Sequence, residues 1–421
     1  MDILLQKLFE QERWHAALSK GVDKDIRKDQ LYQLTKPEVR AAIYASIKDG
    51  TYHISPPHTA LIPKDSPGEF RTVYVNEPVD RILLSIINDL LFELMPDRVH
   101  PCCRSYLKGT GCGKVVKEVS RQVVATQGEV IGWKSDLSKY FDSVPVRYID
   151  AAFDDVEKRF GPSKVIALLR DYYHSDLYFD TDGNLTYAYQ SLKQGCAVAA
   201  WLADVILYDV DEALSKFGYY QRYSDDQLFL GENWQQALDT VRKMLADMDM
   251  TINPRKMELL SASRWFKFLG FSIRGKDISL SSSRIKTFQK EILARTVMDR
   301  SNTPARALAK VNRFLYIGDG THSWATQVLP VINVKTDIDT LNAFMLDALR
   351  AVATGKTKIG GLGYMKEGKK DGCIARGRGR NVTANRAKTA QRIEGIHSLG
   401  CMRNALLTSH AAYEAIVRTL A

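Results

Sequence analysis

The stretch "YYQRYSDDQLFLG", Tyr219 to Gly231, is the place from which the fold can be read. Two short apolar runs flank Ser224-Asp225-Asp226, the pattern of a buried β-hairpin with two adjacent carboxylates at its bend. Like charges this close repel, and a buried carboxylate is costly unless a cation faces it. One reading is a solvated turn, since Asp and Ser are ordinary turn residues. The other is a divalent cation, which needs a further carboxylate from elsewhere in the chain. "WKSDLSKYFDSV" offers one: Asp136 closes a strand, and Asp142 follows six residues on. A strand-end Asp beside an Asp-Asp hairpin brings three carboxylates to one edge of a sheet. Hard oxygen ligands of this kind suit Mg²⁺, which keeps several waters and shares substrate phosphates. Two such ions, roughly 3.5–4 Å apart, can activate an attacking oxygen and stabilise a leaving one. That is the chemistry of nucleotidyl transfer.

The bulk properties agree with a polyanionic partner. The chain has 421 residues and a formal net charge of +10, with a pI of about 9.1. That balance suits nucleic acid, while saying nothing about fold. No apolar run approaches the roughly 20 residues that span a bilayer. The strongest candidate, "ILLSIINDLLFELM", is interrupted by Asn88, Asp89 and Glu93. The N-terminus shows no signal-peptide pattern. Six cysteines (Cys102, Cys103, Cys112, Cys196, Cys373, Cys401) form no C-x-x-C pair. Reduced thiols in a cytoplasmic protein are expected, and no zinc site.

Residues 1–60 read as a polar helical extension ending at Pro56-Pro57. "TALIPKDSPGEFRTVYVNEP" reads as two strands joined by a turn at Asp65-Ser66-Pro67-Gly68, and "VDRILLSIINDLLFELM" as a helix. "KQGCAVAAWLADVILYDVDEAL" reads as one buried, small-residue-rich helix. "FKFLGFSIRGKDISL" reads as a hairpin, and residues 284–355 as helical. From Gly355 to Gly395 the composition shifts to eleven Lys or Arg against three acids, including "KEGKKDGCIARGRGRN". Such a run binds phosphates non-specifically and with strong salt dependence, or is a solvated basic loop.

These segments, taken in order from Leu61 to Gly355, resemble the reverse transcriptases of bacterial retroelements, the group II intron-like branch. "SDLSKYFDSV" and "YSDD" are similar to the two catalytic motifs. "KQGCAVAAWLADVIL" resembles the template- and nucleotide-contacting helix. "MTINPRKMELL" and "FKFLGFSI" resemble the lysine-bearing segment and the primer-grip hairpin. Upstream, "IPKDSPGEFRTVYV" resembles the fingers hairpin, and "VDRILLSIINDLL" with "CCRSYLKGTGCGKVVKEV" the segments after it.

The resemblance implies an α+β right-hand polymerase: fingers and palm over 61–283 with an antiparallel palm sheet, a helical thumb over 284–355, and a basic C-terminal extension over 356–421. It implies that Asp136, Asp225 and Asp226 hold two Mg²⁺, with Mn²⁺ as a substitute, and that Lys256 protonates the leaving pyrophosphate; a surface lysine is the alternative. Lys64 and Arg71 would clasp the triphosphate of a dNTP. Phe141 would be the sugar gate that excludes ribonucleotides, or else a core phenylalanine. Gln194 and Gly195 would lie along the nascent base pair, with Gly195 permitting close backbone approach. Tyr223, Phe268, Leu269 and Gly270 would place the primer. Asp142 is expected instead to cap a helix start.

The sequence departs from the intron pattern in Lys193 before Gln194, in Ala199-Ala200 where a Ser-Pro pair is usual, and in Asp204 where asparagine is usual. No His-Asn-His nuclease pattern follows the thumb. The chain is thus most similar to the unknown-group and defence-associated reverse transcriptases. That implies a structured non-coding RNA template, a DNA product and a role in bacterial antiphage defence. The alternatives are a diversity-generating retroelement or intron-type enzyme, a template-independent polymerase of an abortive-infection system, and a non-catalytic RNA-binding maturase-like protein. The oligomeric state is not legible.

Overall fold

The computed structural model describes the chain except residues 1, 20–25, 65–67, 319–322, 354–364, 368–373, 377–398 and 421. The fold is α+β and its described residues form two compact units, Met1–Lys108 with Trp133–Glu258, and Gly109–Gly132 with Leu259–Ala421.

The first unit carries two sheets. In one, β1 (His58–Pro63) and β2 (Phe70–Val75) form an antiparallel hairpin, Ile62 opposite Arg71. The expected turn falls at residues 65–67, outside the described residues; Lys64 N–H donates to Glu69 O at 2.9 Å beside it. β1 continues onto β4 (Leu177–Phe179), which pairs with β5 (Leu185–Tyr187). The other sheet has β6 (Tyr219–Tyr223), β7 (Asp226–Leu230) and β3 (Gly132–Asp136) in the order β6-β7-β3. Its buried residues include Trp133 and Phe229, whose rings stack at 5.9 Å. β6 and β7 pair antiparallel with Tyr223 opposite Asp226. The Ser224-Asp225 bend thus sits at the sheet edge where β3 delivers Asp136.

Helix Pro78–Leu94 is the spine of this unit. Pro78 stands at the first turn, where its missing N–H is not needed. Ile82, Leu83, Ile86, Ile87 and Leu90 are buried along it. They share one core with Leu4, Leu5, Leu8 and Trp14. The first 60 residues are therefore not a separate extension: their helices Ile3–Leu8 and Gln11–Ser19 complete the core that the spine opens. Asp2 caps the first of them at Leu5 N (3.0 Å) and also accepts from Ser163 Oγ (2.9 Å) and Lys164 N (2.7 Å).

The single helix expected over 193–214 is two helices, Val198–Val205 and Tyr208–Ser215. Its first residues cannot be helical, because Lys193 and Gly195 both have positive φ (51° and 109°). The hairpin β4–β5, between a helix and this loop, has no counterpart in the sequence reading.

In the second unit, β8 (Phe266–Phe268), β9 (Phe271–Arg274) and β10 (Asp277–Leu280) form a three-stranded antiparallel meander rather than one hairpin. Helix Cys112–Ala125 buries Val115, Val116, Val119 and Val123, and Ser120 Oγ donates to Gly275 O at 2.9 Å. Helices Ser282–Ala294, Pro304–Asn312 and Lys335–Ala353 follow. Buried Asp337 accepts from Ser279 Oγ at 2.5 Å, tying the last of these to the meander. The basic run from Gly355 to Gly395, with "KEGKKDGCIARGRGRN", lies outside the described residues except for a short ladder of Met365–Glu367 with Ile374–Arg376. Among the described residues no helix is long and apolar enough to cross a membrane.

Candidate active site

Asp136 ends β3, and the Leu137 N–H after it donates to Asp225 O at 3.1 Å, so the backbone itself locks the strand end to the bend. Asp226 opens β7 beside them. Burial comes first among the causes that raise the Asp225 carboxyl above its usual range, followed by the charge of Asp136. Burial, the adjoining Asp136 carboxyl and the charge of Asp225 push Asp226 up to about 8. Among the described residues the cation in contact is Lys256, whose ammonium hydrogen-bonds the Asp136 carboxylate; burial pulls its pKa down, but that bond and the charges of Asp136, Asp225 and Asp226 together raise it. A cluster in which carboxylates resist ionising is short of positive charge.

That shortage fits divalent metal. Among the described residues no three His, Cys, Asp or Glu side chains form a ready-made cage. Mg²⁺ sites that handle phosphates are of this incomplete kind: one or two carboxylates bind, and waters and substrate oxygens supply the rest. Asp136 and Asp225 would hold such an ion, with Asp226 adjoining.

These carboxylates face a cleft of about 780 Å³, within the range of ligand-sized sites. Asp136, Asp225 and Lys256 line one side of it; Lys64 and Arg71 of the β1–β2 hairpin, Phe141 and Gln194 line the rest. Phe141 is half-buried and sits edge-on to Tyr140 (ring centroids 5.7 Å, 70°), and Tyr140 is pinned through its hydroxyl to Ala203 O at 2.9 Å. Its ring therefore borders the cleft from a fixed base. Carboxylates, cations and an aromatic ring thus converge on one cavity.

Residues 62–273 match the reverse transcriptase (RNA-dependent DNA polymerase) family. The chain belongs to the reverse transcriptase family. No curated protein sequence matches it. Among solved structures, the reverse transcriptase is similar to telomerase from Candida albicans in complex with a fragment of telomeric RNA (11% identity, 74% of this chain and 60% of that one, TM-score 0.41). It is also similar to apo telomerase from Candida tropicalis (12% identity, 87% of this chain and 68% of that one, TM-score 0.45) and to a C-terminally truncated form of it (14%, 56% and 58%, TM-score 0.37). The chain spans about 60% of the length of the first of these.

The remaining sequence candidates of the reverse transcriptase fall in different places. Gly195 does allow a close backbone approach, but to protein: a β-carbon there would stand 2.7 Å from Tyr74 O, and Tyr74 N–H donates to Gln194 O at 2.7 Å. The loop is thereby fastened to β2. Tyr223 ends β6 half-buried, one residue before the bend. Phe268, Leu269 and Gly270 lie in the second unit. Leu269 (φ 48°) and Gly270 (φ 78°) form the two-residue turn between β8 and β9, the left-handed pair such hairpins require. Phe268 is buried, while Leu269 and Gly270 are partly exposed.

Asp142 is not a helix cap. The short helix Tyr140–Ser143 is entered through Lys139 in a left-handed conformation (φ 47°), and Asp142 is its third residue. The Asp142 side chain lines the cleft. Burial raises its pKa, opposed by Lys139, Lys64 and Arg71. The sequence reading also missed the polar floor beneath the bend. Arg222 and Asp211 are fully buried and paired through two bonds of 2.7 and 2.6 Å. The available signal was Arg222 itself, a cation within a buried strand, which demands a buried carboxylate.

Proposed function

We propose that this protein is an RNA-directed DNA polymerase that makes cDNA from dNTPs on a dedicated structured non-coding RNA, in bacterial cytoplasm, as part of antiphage defence. The observation that carries the polymerase reading is the convergence of Asp136, Asp225, Lys256, Lys64, Arg71, Phe141 and Gln194 on one cleft. The intron-like order of the motifs and the departures at Lys193, Ala199-Ala200 and Asp204 support the defence-type branch, and the net charge of +10 supports a nucleic-acid partner.

Bound Mg²⁺ would supply activation of the primer 3′-hydroxyl and neutralisation of charge on the reacting phosphates. The chain's own groups do the rest. Lys64 and Arg71, one on each arm of the β1–β2 hairpin, bind the triphosphate and fix its direction. Phe141 occupies the space a ribose 2′-hydroxyl would need. Lys256 holds a proton at Nζ, on the carboxylate side of the cleft, from which it can be handed to the departing pyrophosphate. Gln194, held by its own carbonyl to Tyr74, lines the cleft on the loop fastened to β2.

The test is to purify the protein from a bacterial host carrying its native locus and sequence the RNA and DNA that come with it, wild type beside Asp225→Ala/Asp226→Ala. One enriched RNA with complementary DNA, absent from the double variant, is expected. DNA without templated sequence would instead support untemplated polymerisation, and equal DNA in both samples would overturn the assignment.

A further inference from the structure

Ser224, the residue before the two aspartates, has φ 58°. For a residue with a β-carbon that conformation is unfavourable by roughly 1–2 kcal/mol, and it persists where the surroundings over-determine it. Every polar group of Ser224 is held. Its N–H donates to Ser105 Oγ at 2.9 Å. Its C=O accepts from Arg222 Nη1 at 3.2 Å. Its Oγ lies 3.2 Å from the Tyr106 hydroxyl.

Behind this grip stands a fully buried network. Ser105 and Asp204 are both 0% exposed, and the Ser105 hydroxyl donates to Asp204 Oδ1 at 2.5 Å. A serine hydroxyl has one proton. With that proton committed to Asp204, the Ser105 oxygen presents a lone pair to Ser224 N–H, so Asp204 fixes the polarity of the whole chain of bonds. Arg222 cannot replace this contact or reach a substrate phosphate. All five of its N–H groups are used, on Asp211 twice and on the carbonyls of Ala203, Asp204 and Ser224.

We propose that Ser105 and Asp204 are positioning residues: by holding Ser224 in its left-handed conformation they set where Asp225 and Asp226 stand. Neither touches the cleft; both act through Ser224. The inference rests on the assignment of Asp225 and Asp226 as catalytic carboxylates. It makes Asp204, rather than asparagine, a matter of acceptor geometry, because an asparagine carbonyl would accept the same bond from Ser105.

The test measures dNTP incorporation on an RNA template with a DNA primer, separating kcat from KM, for Ser105→Ala, Asp204→Asn, Ser105→Ala/Ser224→Gly and Asp225→Ala/Asp226→Ala. Ångström-scale misplacement of a catalytic group costs on the order of 100-fold. Ser105→Ala is therefore expected to lower kcat about 10- to 100-fold with little change in the KM for dNTP, and Asp204→Asn to keep most of the activity. Glycine adopts positive φ without penalty, so Ser224→Gly should restore most of the kcat that Ser105→Ala loses. Ser105→Cys, which fills the same space with a weak acceptor, carries the same comparison if Ser105→Ala does not fold. Unchanged kcat in the Ser105 variant, a loss that Ser224→Gly does not restore, or an Asp204→Asn enzyme as impaired as Ser105→Ala would each overturn the proposal. Synthesis retained by Asp225→Ala/Asp226→Ala would overturn the underlying site assignment instead.

Discussion

Lys193 gives the sharpest thermodynamic prediction. Its side chain is buried, with Nζ donating to Ser175 O at 2.7 Å and Gln190 Oε1 at 2.9 Å and lying 4.7 Å from the Tyr172 ring centre. None of these partners is a hydrogen-bonded carboxylate, so burial prevails and pulls the ammonium from 10.5 to about 8. In the unfolded chain the amine keeps its proton up to its ordinary value. Between about 8 and 10.5 the unfolded state thus binds the extra proton, and folding stability must rise with pH across that window. At roughly 1.4 kcal/mol per pH unit, the full contribution is about 3 kcal/mol. The perturbation is Lys193→Met, which fills similar space without a titrating group. The assay is urea unfolding of both proteins at several pH values from 7 to 11. Other groups titrate there too, and the difference between the two proteins removes them. The variant also strands the Ser175 and Gln190 acceptors, which costs roughly 1–3 kcal/mol at every pH; the prediction therefore concerns slope, not offset. Wild-type stability should climb relative to the variant between pH 8 and 10.5. Parallel curves would refute the claim that the buried Lys193 ammonium opposes folding.

Three further outcomes follow from the site. Phe141→Ala should relax discrimination against ribonucleotides by roughly 10- to 100-fold, since forcing an extra group against a packed wall costs about 1–3 kcal/mol; competition between dNTP and rNTP on one template reads it directly. Arg71→Gln should raise the KM for dNTP by about tenfold or more, the loss of a charge-assisted bond worth roughly 1.5–3 kcal/mol, with an unchanged melting temperature because Arg71 is exposed. Asp211→Ala leaves the buried Arg222 guanidinium without its counter-ion, and should destabilise the fold by about 3–5 kcal/mol in denaturant unfolding.

The meeting of the three carboxylates at one sheet edge was legible because its signals are local. An Asp-Asp bend between apolar runs and an Asp at a strand end need no knowledge of distant contacts, and the β3–β7 adjacency in the sheet brings them together. Positions whose conformation is set by distant partners were not legible. The Gln190–Gly195 loop has a helical composition, yet its left-handed residues are held by Ser175, Gln190 and the Tyr74 backbone. Asp142 has the chemistry of a cap, but Lys139 takes the left-handed entry and leaves Asp142 in the cleft. Phe268 turns inward because its meander has a core of its own to fill. The N-terminal helices look like a polar extension until Leu4, Leu8 and Trp14 are seen packed with the spine helix. Asp204 and Ser105 lie 99 residues apart, and nothing near either one announces the bond between them.

The most direct test of the account is primer extension by purified protein on a defined RNA template with a DNA primer, dNTPs and Mg²⁺, wild type beside Asp225→Ala/Asp226→Ala. The account predicts template-complementary DNA from the wild type and none from the double variant, with both proteins unfolding at similar denaturant concentrations. Equal extension by the two would contradict it.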